Sequence, residues 1–170
     1  MIARGVDWRL GTNAVELRKE GEQVRVIDTD GVETLFDQVM FATGRTPNAG
    51  DLGLEALGVV RGHKGEVMVD EYSQTAVPSI YAVGDVTDRV NLTPVAIREG
   101  MAFVETVFKG NPTKPDHELI PTAIFTQPEM GTVGLGEEEA RAQEPIEVYA
   151  TSFKPMQQSF AGRSERVMMK

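Results

Sequence analysis

Apolar and polar residues follow the pattern of a β-hairpin early in the chain. Two runs rich in β-branched residues, at 23–28 and 34–43, are separated by Asp30-Gly31. An Asp-Gly pair between two such runs favours a tight hairpin turn. The segment after the second run is rich in Gly, Pro and Asn, and at most a short helix is predicted in it, around 52–57. We therefore place a domain boundary near Pro47.

The middle of the chain passes from short apolar runs to helical periodicity. Short strands are predicted at 67–69 and 79–83, the latter reading SIYAV. Residues 95–109 carry apolar side chains three and four positions apart, which is typical of an amphipathic helix, and Gly110 marks its end. The face predicted to be buried comprises Ile97, Met101, Val104 and Phe108, with Phe103 and Val107 alongside.

A polar segment at 111–118 indicates a second boundary, and shorter elements follow it. A short helix is predicted at 137–143, with Gly136 as its N-cap and three acidic residues in its first turn, where the helix dipole favours negative charge. Strands are predicted at 120–125, 131–134 (strand or bend), 146–153 and 166–169.

Composition describes an ordinary folded protein and argues against several partners. The chain has 170 residues, 41% hydrophobic, which suffices for one domain or for pieces of two small ones. The net charge of −9 and the scattered basic residues argue against nucleic-acid binding. No apolar run is long enough to span a membrane, and the first residues lack the apolar region of a secretory signal. We therefore expect no membrane partner and a cytoplasmic location.

The chain contains no cysteine, which excludes a disulfide framework, a thiolate metal site and a thiol nucleophile within it. His63 and His117 lie among polar, turn-forming residues and share no recognisable ligand spacing. We interpret both as solvated loop residues. No metal site and no catalytic residue are predicted in this chain.

The stretch SIYAVGDV ends an apolar run with an acid, Asp85. In open α/β sheets, ligands bind beyond the carboxyl ends of the strands. An ionised Asp only accepts hydrogen bonds, so hydroxyl groups, as on a sugar or a ribityl chain, are its natural ligands. Gly84 beside it lets another molecule or backbone approach closely. The alternative is that Asp85 caps the following loop.

A helix start follows this acid closely. Thr93 is predicted as the N-cap and Pro94 as the first helical residue, while Ala96 cannot close a capping box. Free N–H groups at a helix start favour an anion or an electron-rich oxygen. A flavin fits, with ribityl hydroxyls at Asp85 and the ring's C2 carbonyl near Thr93. Many helices that begin with Thr-Pro bind nothing, so that alternative stays open.

Four motifs run along most of the chain: ATGRTPN at 42–48, VDEYSQTAVPSIYAVGDV at 69–86, NLTPVA at 91–96 and FTQPEMGTVGL at 125–135. With these motifs, in this order, the chain resembles the glutathione reductases, a group within the flavoprotein disulfide reductases. Similar motifs occur in dihydrolipoyl and mercuric reductases, whereas YATSFKPM at 149–156, followed by RVMMK, favours the glutathione reductases.

The resemblance implies an α/β fold in three parts. Residues 1–47 would end a Rossmann-like NADPH-binding domain, 48–118 would be the returning segment of the FAD-binding region, and 119–170 would open an α+β dimerisation domain. It also implies a homodimer. The expected glycine fingerprints, cysteine pair and C-terminal histidine do not occur in this sequence, so we expect an internal fragment.

The resemblance further implies cofactor contacts. Asp85 would contact the FAD ribityl group, Thr93 would lie at the pyrimidine edge of the flavin, and the loop before the helix would border the nicotinamide. The NADPH side would be lined by Gly44, Asn91 and Ala123. The other predicted cofactor-binding residues are Gly84, Leu92 and Arg45. For Arg45 an exposed turn or an ion pair across a domain joint is an equal alternative, and Gly44 is equally a plain turn glycine. Met101 stands where many glutathione reductases carry a substrate-binding arginine.

The function implied by the resemblance is reduction of glutathione disulfide. A hydride would pass from NADPH to FAD, and electrons would then pass through a cysteine pair to the disulfide. Without that pair the isolated chain is expected to be inactive. Two alternatives stay open: a dihydrolipoyl- or mercuric-type reductase, and a stand-alone, non-catalytic binding module.

Overall fold

Three antiparallel strands lie near the start of the chain. The computed structural model describes residues 1–170 apart from the side chain of residue 3. A single 3₁₀ turn, Ile2–Arg4, precedes a sheet of strand order β1-β2-β3. The predicted hairpin is confirmed as β2 and β3, and an unpredicted strand, β1, extends it. The strands are β1 Ala14–Glu20, β2 Gln23–Asp28 and β3 Glu33–Phe36.

A buried carboxylate organises the β2–β3 turn. Asp28 accepts the backbone N–H groups of Asp30 and Val32, each at 2.9 Å. Gly31 adopts a φ of 77°, a left-handed conformation that glycine reaches without steric cost. The Asp-Gly signal therefore works as predicted, with Asp28 adding the hydrogen bonds that hold the turn.

Strand β3 is shorter than predicted. It ends at Phe36, and residues 38–43 form no ladder with any described strand. An extended run needs a neighbouring strand to satisfy its backbone groups, and β-propensity alone does not supply one. Met40 and Phe41 are consequently exposed.

A small core forms between residues 49 and 86. The strands predicted at 67–69 and 79–83 are wrong, because the chain there makes only isolated bridges, Arg61 to Val67 and Gln74 to Tyr81, between closely spaced turns. The short helix expected around 52–57 is present as a 3₁₀ turn, Glu55–Leu57. The core consists of buried Ala49, Val59 and Val67, against which Leu54, Val69, Val77, Ile80, Ala82 and Val86 pack.

Helix α1, Thr93–Phe108, is confirmed, but its predicted buried face is wrong. Val95, Glu99 and Ala102 are buried instead, because this side faces the 3₁₀ helix Gly84–Thr87. No other described helix or strand packs against α1. The apolar residues Ile97, Met101, Val104 and Phe108 are therefore exposed, Met101 at 67%. None of the described helices is long and apolar enough to cross a bilayer.

Residues Leu119–Lys170 form a separate unit from Met1–Glu118. Helix α2 has the predicted bounds, and its start is closed by the N–H of Gly136, which donates to the Glu139 carboxylate at 3.0 Å. The strand predicted at 146–153 is shorter, and helix α3 is additional. The elements are β4 Thr122–Ile124 paired with β5 Met130–Thr132, α2 Glu137–Gln143, α3 Met156–Phe160, and β6 Thr151–Phe153 paired with β7 Val167–Met169.

The exposed apolar face of α1 predicts self-association of the isolated chain through a second copy. Contiguous apolar surface on a helix is unusual in monomers and favours an interface. The sedimentation coefficient should rise with protein concentration. The double substitution Met101→Lys and Phe108→Lys should move the chain toward monomer, whereas Met40→Lys, at an exposed apolar residue outside the helix, should not. A monomer at every concentration would contradict this prediction.

Candidate functional site

Asp85 presents an accessible carboxylate at the start of a 3₁₀ helix. The predicted SIYAV strand is replaced by the single Gln74–Tyr81 bridge, after which the chain turns into Gly84–Thr87. The Asp85 Oδ2 atom lies 2.8 Å from Nη2 of Arg45. Their side chains are 41% and 70% exposed, so the acid keeps acceptor capacity facing outward.

The ion-pair alternative for Arg45 is therefore realised within the first unit. Exposed pairs of this kind contribute about 0–1 kcal/mol, since solvent and salt screen them and ordering two side chains opposes them. Asp85 can exchange the guanidinium for the hydroxyl groups of a ligand with little loss of stability.

A small pocket adjoins the pair. Its volume is about 170 Å³, which is below the roughly 300–1,000 Å³ of sites that enclose a whole small-molecule ligand. A pocket of this size encloses at most a part of a larger ligand. Three residues predicted from the sequence, Arg45, Asp85 and Asn91, line it together with Thr46, Pro47, Asn48 and Val86.

Asn91 is held in place by the loop that follows the 3₁₀ helix. Its Nδ2 donates to Oδ1 of Asp88 at 2.8 Å, and Lys64 Nζ donates to the other oxygen of Asp88 at 2.9 Å. The hydrogen bond from Lys64, and then that from Asn91, hold the pKa of Asp88 below its usual value. Asp88 is charged at neutral pH and fixes this side of the pocket.

Gly84 lets a neighbouring helix approach closely. Its φ is 73°, and a Cβ built there would lie 3.0 Å from the Cβ of Ala96 in α1. The prediction that another group approaches Gly84 closely thus has a structural explanation: the missing side chain lets the 3₁₀ helix pack on α1. Asp85 is held at the surface of that contact.

The start of α1 differs by one residue from the prediction. Leu92, with φ −130° and ψ 131°, is the N-cap, and Thr93 is already helical. The reason is that the carbonyl of Leu92 already accepts the first helical bonds, from the N–H groups of Val95 and Ala96 at 3.0 and 3.1 Å. Leu92 has no side-chain acceptor, so no side chain caps this helix start. The prediction of Thr93 as N-cap is therefore wrong, whereas the predicted absence of a capping box is confirmed.

Five predicted residues lie outside this pocket lining: Gly84, Leu92 and Thr93, together with Gly44 and Ala123. Gly44, beside Arg45, has a φ of 135° and open space where a side chain would be. Ala123 lies on β4 of the second unit, opposite Gly131. Of the predicted residues, the pocket therefore brings together Arg45, Asp85 and Asn91.

A buried ionic cluster behind the Gly84 turn escapes sequence reasoning. Glu99 is 1% exposed; its Oε2 accepts the N–H of Gly84 at 2.5 Å, and its Oε1 lies 3.0 Å from Arg89 Nη2 and 2.6 Å from His117 Nε2. His117 is thus not a solvated loop residue, because it pairs with a buried acid. The available signal is helical spacing: Glu99 shares a face with Val95, four residues earlier, and Ala102, three residues later.

No group of three or more His, Cys, Asp or Glu residues in the described part of the chain is placed to hold a metal ion. His63, the other histidine, is exposed and lies 3.9 Å from Glu66. The polar groups of the site therefore offer an acceptor carboxylate, an amide and a guanidinium. These groups suit hydroxyls and anionic oxygens.

The chain belongs to the pyridine nucleotide-disulphide oxidoreductases. Residues 1–100 match the family described as Pyridine nucleotide-disulphide oxidoreductase, and residues 120–170 match its dimerisation domain. The fold is accordingly that of this family, with FAD-binding and dimerisation domains represented.

Curated relatives confirm the resemblance to glutathione reductases. The chain is 48% identical over 168 residues to the chloroplastic/mitochondrial glutathione reductase of Pisum sativum, covering 98% of this chain and 30% of that protein. It is 46% identical over 167 residues to the glutathione reductase of Burkholderia cepacia, covering 98% and 37%. A trypanothione reductase of Leishmania donovani is 44% identical over 170 residues, covering 98% and 34%. The chain thus spans about a third of the length of these relatives.

Solved structures support the same fold. The HOCl-induced flavoprotein disulfide reductase RclA from Escherichia coli matches with a TM-score of 0.85 at 21% identity, covering 98% of this chain and 40% of that one. LpdA from Mycobacterium tuberculosis matches with a TM-score of 0.77 at 27% identity, covering 95% and 36%.

The contact between Gly84 and Ala96 predicts opposite effects for two glycine substitutions. Gly84→Ala should lower the free energy of unfolding by about 1–3 kcal/mol, because it strains a left-handed residue and crowds Ala96. Gly100→Ala, within α1 and with open space around it, should raise that free energy by up to about 1 kcal/mol. Urea unfolding of both variants measures the difference. Equal effects would show that Gly84 does not mediate this packing.

Proposed function

We propose that this chain is part of an FAD-dependent, NADPH-using glutathione-disulfide reductase. The observation that carries the proposal is the half-exposed carboxylate of Asp85, which shares a pocket with Arg45 and with Asn91, the residue before the N-cap of an uncapped helix start. Identities of 46–48% to two glutathione reductases over 98% of the chain support it.

The flavin side of the proposed site rests on acceptor and donor chemistry. Asp85 accepts hydrogen bonds from the ribityl hydroxyls, and Gly84 holds the backbone of that turn against α1. Leu92 and Thr93 place the first turn of the helix at the pyrimidine edge, where backbone N–H groups and the helix dipole favour negative charge. FAD, when bound, supplies the acceptor for hydride and passes electrons onward.

The nicotinamide side of the site is proposed for Gly44, Arg45 and Asn91. Gly44, without a side chain, permits close approach of a cofactor, and Arg45 and Asn91 line the pocket. Ala123 joins this set as a proposal from its motif alone. We assign 1–47 to the end of a Rossmann-like NADPH domain, 48–118 to the FAD region and 119–170 to the start of the dimerisation domain.

The substrate and assembly belong to the whole reductase. Glutathione disulfide is the proposed substrate, and a homodimer in the cytoplasm is the proposed state of the complete enzyme. The match of residues 120–170 to a dimerisation domain supports the dimer. Met101 is exposed on α1, where a substrate-binding arginine is common in the family, so the disulfide specificity needs its own measurement.

The cysteine-free sequence predicts that the isolated chain is inactive. It supplies no thiol to carry electrons from the flavin to a disulfide. NADPH oxidation should stay at background with the 170-residue chain, even with added FAD. The complete reductase should turn over glutathione disulfide faster than lipoamide or mercuric ion. Turnover by the purified chain, free of host enzyme, would contradict the prediction.

A second prediction concerns Asp85 in the complete reductase. Asp85→Asn keeps the shape but removes the charge and half of the acceptor capacity. The dissociation constant of FAD should rise about tenfold or more, as expected for losing a hydrogen bond to a charged acceptor. Fluorescence titration of apoprotein measures it, with Asp51→Asn as the matched control at an exposed left-handed residue. An unchanged dissociation constant in Asp85→Asn would overturn the flavin assignment.

A further inference from the structure

The buried cluster around Glu99 joins the middle of α1 to the turn that carries Asp85. Glu99 lies 15 residues beyond Gly84 and accepts its N–H at 2.5 Å. A carboxylate that is 1% exposed requires partners for both oxygens, because an unpaired buried charge is strongly unfavourable. Arg89 and His117 meet the second oxygen, and the Arg89 guanidinium balances its charge.

Gly84 is held from three directions. Its N–H donates to Glu99, its carbonyl accepts the hydroxyl of Thr87 at 2.8 Å, and its Cα packs on Ala96. Glycine has the widest conformational freedom of any residue, so a glycine directly before a ligand-binding acid needs outside restraints to fix that acid's direction.

Arg89 connects these restraints. Its guanidinium donates to Thr87 Oγ1 at 3.3 Å and to Ser73 Oγ at 3.0 Å, while the same group lies 3.0 Å from Glu99. Thr87 and Ser73 are both buried. The carboxylate, the guanidinium and the two hydroxyls form a connected network beneath the exposed face of the turn. A network of this kind rigidifies the backbone that it contacts.

We propose that Glu99 is a positioning residue: by accepting the N–H of Gly84 it fixes the direction of Asp85 toward the ribityl hydroxyls, with Arg89 as its counter-charge and His117 as a further partner of its carboxylate. This inference rests on the proposed flavin contact of Asp85. Glu99 itself lies beneath the turn and does not line the pocket. Its influence on the cofactor therefore passes through Gly84.

The first measurement needs no cofactor. In the apo form of the complete reductase, Glu99→Gln supplies one acceptor oxygen where the wild type has two, so it cannot serve Gly84 and the Arg89–His117 pair together. Hydrogen exchange followed by mass spectrometry should become at least about tenfold faster in the segment 81–88. Glu105→Gln, which removes the same charge from the exposed end of α1, should leave that exchange unchanged. Unchanged exchange in Glu99→Gln would overturn the proposal.

The second measurement tests whether Glu99 acts through Asp85. Glu99→Gln should raise the FAD dissociation constant about tenfold in the wild-type background but less than about twofold in Asp85→Asn, because coupled residues are not additive. A residue with only a structural role would give the same factor in both backgrounds, and that result would overturn the proposal. If Asp85→Asn alone has no effect, the flavin assignment fails. A large effect of Glu99→Gln in that case also excludes action through Asp85.

A conservative variant keeps the test usable if Glu99→Gln does not fold. Glu99→Asp retains the negative charge for Arg89 and His117, but its shorter side chain cannot also reach the N–H of Gly84. It should reproduce the faster exchange at 81–88 and the weaker FAD binding. Wild-type values for both in a folded Glu99→Asp protein would overturn the proposal.

Discussion

The contact between the 3₁₀ helix Gly84–Thr87 and helix α1 determines how the first unit presents its polar site. A glycine without a Cβ permits the approach, and a buried glutamate from the facing helix takes up the glycine's N–H. Asp85, which directly follows Gly84, lies on the exposed side of this contact and pairs there with Arg45 at the pocket. The same 3₁₀ helix is also joined to the small core at 49–86, because the core residue Val67 donates its N–H to the carbonyl of Val86 at 2.9 Å.

Local chemistry made part of the fold predictable. The β2–β3 hairpin and helix α2 follow from residues a few positions apart, because Asp30-Gly31 sets the turn and Gly136 with Glu139 sets the helix start. The strand predicted at 79–83 failed for the opposite reason. Its apolar run is real, but a strand exists only where a second chain segment runs beside it, and here only one residue pair meets.

For helix α1, the sequence predicts the element correctly but not which of its sides is buried. The spacing of apolar residues correctly predicts a helix, yet it assigns the wrong side to the interior. The side that packs on the 3₁₀ helix carries Glu99, whose burial depends on Arg89 and His117, 10 and 18 residues away. Motifs found Asp85, Arg45 and Asn91 because they lie in continuous stretches. No local sequence pattern indicates that Arg89 and His117 will pair with Glu99 and so allow its carboxylate to be buried.

The Arg45–Asp85 ion pair makes the proposed flavin contact sensitive to salt. The guanidinium occupies one oxygen of the acid at 2.8 Å, while the half-exposed carboxylate keeps further lone pairs for hydroxyl groups. Dissolved ions weaken the exposed ion pair and leave neutral hydroxyl donors almost untouched. For the proposed contact, rising ionic strength therefore favours ligand hydroxyls over Arg45 as partners of Asp85.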